Sequence, residues 1–64
     1  MALNDNELWA CALEVERQHG DSAPVVIAER IGAFALAGDF DGVAAWKAIA
    51  NRLDQLRRPS GETV

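Results

Sequence analysis

Two Gly-Asp pairs, Gly20-Asp21 and Gly38-Asp39, divide the chain into three segments that each repeat apolar residues at helical spacing. A glycine supplies the left-handed residue that commonly ends an α-helix, and the aspartate after it can cap the next helix. Asn4, with Glu7 three residues later, forms a further capping pattern at the start of the first segment. The sequence therefore predicts three α-helices, over about residues 5–19, 22–37 and 40–57.

The length of the chain sets a second limit. Sixty-four residues allow one domain with a small core and little room for an enclosed catalytic pocket. Half of the residues are hydrophobic, there is no Tyr and there are only two Pro, which argues against a disordered chain and against a β protein. We predict an all-α fold, a compact three-helix bundle in a single domain of residues 1–58, with a flexible, disordered tail at residues 59–64.

The three segments differ in how their apolar residues are arranged. The first and third segments each have one apolar stripe, whereas the second is apolar nearly all round, which is typical of a central helix contacted by both others. Gly32 in the second segment would let a neighbouring helix approach closely, at about 1 kcal/mol of helix propensity. The predicted core residues are Leu8, Trp9, Ala12, Val15, Ile27, Ile31, Phe34, Trp46, Ile49, Leu53 and Leu56.

The second segment has more apolar surface than one core contact needs. Surplus surface of this kind suits a second copy of the chain or another protein. The alternative is that the first and third helices cover it. The residues of this candidate contact face are Val25, Val26, Glu29, Ala33 and Leu36.

Charge is unevenly distributed, and it bears on nucleic-acid binding. Residues 1–42 carry eight acidic and two basic side chains, whereas residues 43–64 carry two acidic and four basic ones, for a net charge of −4. Residues 27–32 resemble the first helix of a helix-turn-helix, but the helical pattern continues past Gly32 and the pI is near 4.6. Nucleic acid is therefore not expected as a partner, and a DNA-associated regulator stays an alternative that would use Lys47, Arg52, Arg57 and Arg58.

Glu16 and His19 raise the question of a metal site. Their i, i+3 spacing is the one that carboxylate-bridged metal bundles use, but such a site needs further ligands and His19 is the single histidine. The competing interpretation is that Glu16 pairs with an arginine and His19 helps to close the C-terminus of its helix. We expect no metal and no cofactor, and keep a metal-binding protein as a second alternative.

No pattern in the chain predicts catalysis or a membrane span. Cys11 has Glu7 and Glu14 near it, and acidic neighbours do not activate a thiol, so we expect it to be a small buried hydrophobic residue. The most apolar stretch, residues 23–37, is too short to cross a bilayer, and the N-terminus lacks the pattern of a signal peptide. We expect a cytoplasmic protein that is not an enzyme.

Several short stretches together resemble a known group of proteins. They are residues 7–10, 28–33, 37–39 and 42–43, with Trp46 and residues 54–56, so the resemblance spans about residues 5–58. The chain is similar to a family of small uncharacterised bacterial proteins, a domain of unknown function. The resemblance implies a compact helical protein and assigns no activity, ligand or site residue. We predict a small protein-protein interaction module in the bacterial cytoplasm, either a homodimer or an accessory subunit.

Overall fold

The computed structural model describes residues 3–57, and this part of the chain contains α-helix and a single turn of 3-10 helix but no strand. Helix α1 spans Asp5–His19, a 3-10 turn spans Gly20–Ser22, α2 spans Ala23–Leu36 and α3 spans Phe40–Arg57. The all-α prediction is confirmed, and the helix bounds agree closely with the predicted ones. The predicted tail, residues 59–64, lies outside the described residues.

The start of α1 follows the predicted capping box. The Asn4 side chain accepts a hydrogen bond from the Glu7 backbone N–H at 2.8 Å, and the Glu7 carboxylate accepts one from the Asn4 N–H at 2.9 Å. Two N–H groups that a helix start leaves without partners are thereby satisfied. The acidic side chains of Asp5 and Glu7 also oppose the positive end of the helix dipole.

The Gly38-Asp39 pair ends α2 and begins α3 as predicted. Gly38 adopts the left-handed conformation, with φ of 76°, and its N–H donates to the Ala35 carbonyl at 3.1 Å. The Asp39 N–H donates to the Phe34 carbonyl at 2.9 Å, which completes a Schellman motif. The Asp39 side chain then accepts from the Gly42 N–H at 3.0 Å and caps α3. This local geometry makes the turn between α2 and α3 short and sharply defined.

The Gly20-Asp21 pair behaves differently, and the prediction that Asp21 caps the second helix is wrong. Gly20 has a positive φ of 53°, but the backbone continues directly into the 3-10 turn and then into α2. Ser22, which precedes α2, keeps a helical conformation and makes no side-chain cap. Because side-chain capping needs an extended residue before the helix, no cap can form here. Residues 5–36 are therefore one bent helical run, with no loop between α1 and α2, and only α3 is separated from it.

Helix α3 holds the fold together. It packs against both α1 and α2, which make little contact with each other. The prediction that the second helix is the central one is therefore wrong, because the tight bend turns α1 and α2 toward a shared neighbour. Within residues 3–57, the buried hydrophobic side chains come from all three helices: Leu8, Ala12, Ala23, Ile27, Ile49 and Leu53.

The predicted core is confirmed at its centre and differs at its edges. Five predicted residues are buried, namely Leu8, Ala12, Ile27, Ile49 and Leu53, and five are half-buried, namely Trp9, Val15, Ile31, Phe34 and Trp46. Leu56 was predicted wrongly, since it is 38% exposed. The end of α3 lies beside the polar bend, where Arg57 contacts Gly20 and Asp21, so little apolar surface is available to cover Leu56. Ala23, which is fully buried, was missed.

One close contact fixes the spacing between α2 and the start of α3. The ring of Phe34 lies against Gly42, and a Cβ atom at that position would overlap the ring. A glycine inside α3 costs about 1 kcal/mol of helix propensity, and here the loss is offset by the packing of an aromatic side chain. Gly42 is therefore required by the fold itself.

The contrast between Ile49 and Leu56 gives a test of the core. Ile49→Ala should lower the free energy of unfolding by about 3 kcal/mol, because it removes buried methyl groups and leaves a cavity. Leu56→Ala, seven residues further along α3, should cost less than about 1 kcal/mol. Urea denaturation followed by circular dichroism measures both. Equal losses in the two variants would show that Leu56 is part of the core.

Candidate interaction surface

The side of α2 that faces away from the core is apolar and uncovered. Leu36 is 93% exposed and Val25 is 59% exposed, and Glu29 and Ala33 are exposed between them. Val26 is half-buried and lines a neighbouring groove instead. Four of the five predicted contact-face residues are thus accessible, so α1 and α3 do not cover them.

This surface follows from the helical repeat. Ile27, Ile31 and Phe34 turn toward the rest of the protein, and the residues opposite them on the helix fall along one line. We call this line, Val25, Glu29, Gly32 and Leu36, the outer face of α2. Ala28, Ala33 and Ala35 flank it and are also exposed, so one charged side chain stands among small and apolar ones.

A groove of about 250 Å³ runs between α1 and α2. Val15 and Val26 contribute apolar walls, and Trp46 of α3 also lines it. The Arg30 guanidinium lies 5.5 Å from the centroid of the Trp46 ring, a cation–π distance. Arg30 therefore covers part of the tryptophan that α1 and α2 leave exposed.

The titratable groups of this groove are not arranged for catalysis. Cys11 and His19 both line it, but they lie eight residues apart on α1, which is about 12 Å along the helix axis. Hydrogen bonds from Arg17 and from Gln18 lower the pKa of Glu14 to about 2. Glu14 is therefore ionised at neutral pH and unsuited to general acid–base work.

Two further depressions lie elsewhere on the described surface. One, of about 380 Å³, lies beside Phe34 and the cap residue Asp39, and the other, of about 250 Å³, lies beside Pro24 and Arg57. Their polar side chains serve the fold, because Asp39 caps α3 and Arg57 forms ion pairs. Neither depression brings a nucleophile and a base together.

Glu16 and His19, the residues of the metal hypothesis, are used separately. Arg57 donates to the Glu16 carboxylate at 3.1 Å and to the Gly20 carbonyl at 3.4 Å, and it also pairs with Asp21. The predicted pairing of Glu16 with an arginine is thereby confirmed. Residues 3–57 contain no group of three or more His, Cys, Asp or Glu side chains that could hold a metal ion.

Removal of the pair tests this structural role of Glu16. The two side chains are about one-third exposed, so a double-mutant cycle of Glu16→Gln and Arg57→Gln should give a coupling energy of about 0.5–1 kcal/mol. High salt should reduce that coupling, because salt screens partly exposed charges. Chemical denaturation measures it. A melting temperature that falls on treatment with a chelator would contradict this account and point to a bound metal.

The basic residues of the DNA hypothesis are also engaged within the fold. Arg52 pairs with Asp5 at 2.5 Å, and its guanidinium lies 5.6 Å from the centroid of the Trp9 ring. Arg57 is held by acidic side chains, as described above, while Lys47 is exposed and Arg58 lies outside the described residues. The two arginines join helix ends of the protein, so they do not form a free basic surface.

Comparison with known proteins gives a family for the chain. Residues 4–60 match the model of a family described as a family of unknown function, DUF6961. The chain belongs to this family. The matched range begins at the Asn4 cap and takes in α1, α2 and α3, so the predicted membership of a family of unknown function is confirmed.

Other comparisons add nothing to the family assignment. No curated protein and no solved structure matches the chain. Among residues 3–57, no helix is both long enough and apolar enough to cross a membrane.

Proposed function

We propose that this chain is a non-catalytic protein-protein interaction module of the bacterial cytoplasm and that the outer face of α2 is its contact surface. It acts either as a homodimer or as an accessory subunit of a larger protein. The observation that carries the proposal is the position of Leu36, which is 93% exposed on an ordered helix. Its backbone is fixed by the Schellman motif that follows, so its exposure does not come from a frayed end.

The composition of the outer face supports this role. Central regions of interfaces are poor in charge, and here a single charged residue, Glu29, stands between Val25 and Leu36. Burial of a leucine side chain contributes about 2 kcal/mol and burial of a valine somewhat less. The small side chains around them would allow a partner backbone to come close.

The exposed faces of α1 and α3 differ from that of α2. Other exposed large apolar residues, such as Leu13 on α1 and Phe40 at the start of α3, belong to helices whose exposed faces are mainly polar. Isolated apolar side chains are normal on protein surfaces, whereas a helix face with mainly apolar and small residues is typical of an interaction site. Only α2 has such a face in the described part of the chain.

A pair of leucine variants tests the proposal. Leu36→Glu should leave the helical content and melting temperature close to those of the wild type, because the side chain is exposed, and should weaken association at least about tenfold. Leu13→Glu is the matched control, since Leu13 is 54% exposed on α1 and should be dispensable. The measurement is a tagged pull-down at moderate salt, with light scattering on the eluate.

The two variants also define the contrary result. If Leu36→Glu folds normally and keeps the same partners and mass as Leu13→Glu, the outer face of α2 is not the contact surface. If Leu36→Glu unfolds, Val25→Glu repeats the test on the same face at a residue that is also exposed.

A further inference from the structure

Gly20 makes the bend between α1 and α2. Its N–H still donates to the Glu16 carbonyl, as in a continuing helix, and His19 and Ser22 on either side keep right-handed helical conformations. Gly20 itself has φ of 53° and ψ of −124°, a combination that is open to glycine and strongly disfavoured for a residue with a Cβ atom. Helical angles at Gly20 would therefore bring α1 and α2 into line as one straight helix.

The contacts of α1 would survive such straightening only between two copies of the chain. Helices α1 and α2 make little contact with each other, and both pack on α3. In a straight run, α1 points away from the α3 of its own chain and can pack only on the α3 of a second copy, which is a domain swap. The exchanged pair keeps the contacts of α3 with both other helices, so helix packing by itself does not exclude it.

Pro24 opposes the straight form. In a continuous helix the ring of Pro24 would collide with the carbonyl four residues earlier, which belongs to Gly20, and proline has no N–H to donate to that carbonyl. In the bent structure Pro24 lies in the first turn of α2, where a proline is tolerated. The Gly20 carbonyl accepts instead from the Ala23 N–H and, at 3.4 Å, from Arg57 of α3. The bend thus satisfies a carbonyl that a straight helix would leave without its partner.

We propose that Gly20 and Pro24 together form a conformational stop, in which Gly20 makes the bend and Pro24 keeps α1 and α2 from merging into one helix that two copies would exchange. Arg57 closes the bend from α3, since it pairs with Glu16 before the bend and with Asp21 after it. The stop holds α1 on the α3 of its own chain. This inference goes beyond the proposed function, because it does not depend on what binds the outer face of α2.

Removal of the stop tests the proposal. A Cβ atom at position 20 would meet nothing within 4 Å, so Gly20→Ala acts through the backbone, where it disfavours the bend and favours helix. Pro24→Ala removes the block on the straight form. After refolding at high concentration, Pro24→Ala alone should raise the association constant of the dimer at least about tenfold over the wild type. The double variant should be mainly dimeric, as measured by sedimentation.

A second double variant, Gly32→Ala with Pro24→Ala, is the matched control. Gly32 lies in the middle of α2, and a Cβ atom there would also meet nothing within 4 Å. The same glycine-to-alanine change therefore raises helix propensity without acting on the bend. The Gly20→Ala, Pro24→Ala chain should associate at least about tenfold more tightly than this control.

Cross-linking identifies the exchanged helix. Asp5 of α1 pairs with Arg52 of α3 within one chain. In a Cys11→Ser background without the stop, Asp5→Cys chains refolded together with Arg52→Cys chains should be joined by a short bismaleimide, because exchange places α1 of one copy on α3 of the other. The same two chains with Gly20 and Pro24 intact should not be joined. A dimer formed through the outer face of α2 leaves α1 on its own α3 and gives no such product.

The contrary results are equally definite. The proposal is overturned if the double variant refolds to a monomer, if its dimer is not cross-linked between chains, or if circular dichroism shows that its helices are lost. It is also overturned if chains with the stop intact are cross-linked as efficiently as those without it. None of these results changes the comparison of Leu36→Glu with Leu13→Glu, so the proposed function is tested separately.

Discussion

The packing of α3 against the bent run of α1 and α2 is the contact on which the rest of the structure depends. Ile49 and Leu53 are almost fully buried, and their partners include two alanines, Ala12 and Ala23, that are completely covered. Small residues at a contact bring helix axes close together and let the larger side chains interlock. Both α1 and α2 pack their buried side chains mainly against α3 and make little contact with each other. The outer face of α2 therefore stays exposed.

Two arginine side chains of α3 form ion pairs with the start of α1 and with the bend between α1 and α2. Arg57, in the last turn of α3, reaches Glu16, Asp21 and the Gly20 carbonyl, so it ties α3 to the bend between α1 and α2. Arg52 does the same for the start of α1 through Asp5. Partly exposed ion pairs contribute modestly to stability, but several contacts at one bend define its position. The basic residues are therefore explained by the fold, and a separate nucleic-acid surface is not needed to account for them.

The sequence predicts those parts of the structure that local chemistry decides. The Asn4 capping box and the Gly38-Asp39 turn depend on residues within one helical turn, and both form as predicted. Burial of Ala23 and exposure of Leu56 depend instead on which helix is central and on where the polar bend lies, and no periodicity contains that information. For the site, four of the five residues that the sequence predicts for the contact face of α2 are exposed. Val26 was assigned to it wrongly, because it lies about 100° around the helix from Val25 and lines the groove beside α1.

The core of this protein is small, so a partner bound to the exposed face of α2 would add noticeably to the free energy of unfolding. Within residues 3–57 only six hydrophobic side chains are buried, so the monomer has little apolar burial to offset the entropy of folding. A ligand or subunit that binds only the folded chain stabilises it by mass action. Covering Leu36 and Val25 would add apolar burial that the monomer cannot make by itself, since α3 is already occupied on both sides. Folding and association of this protein are therefore expected to be linked through the outer face of α2.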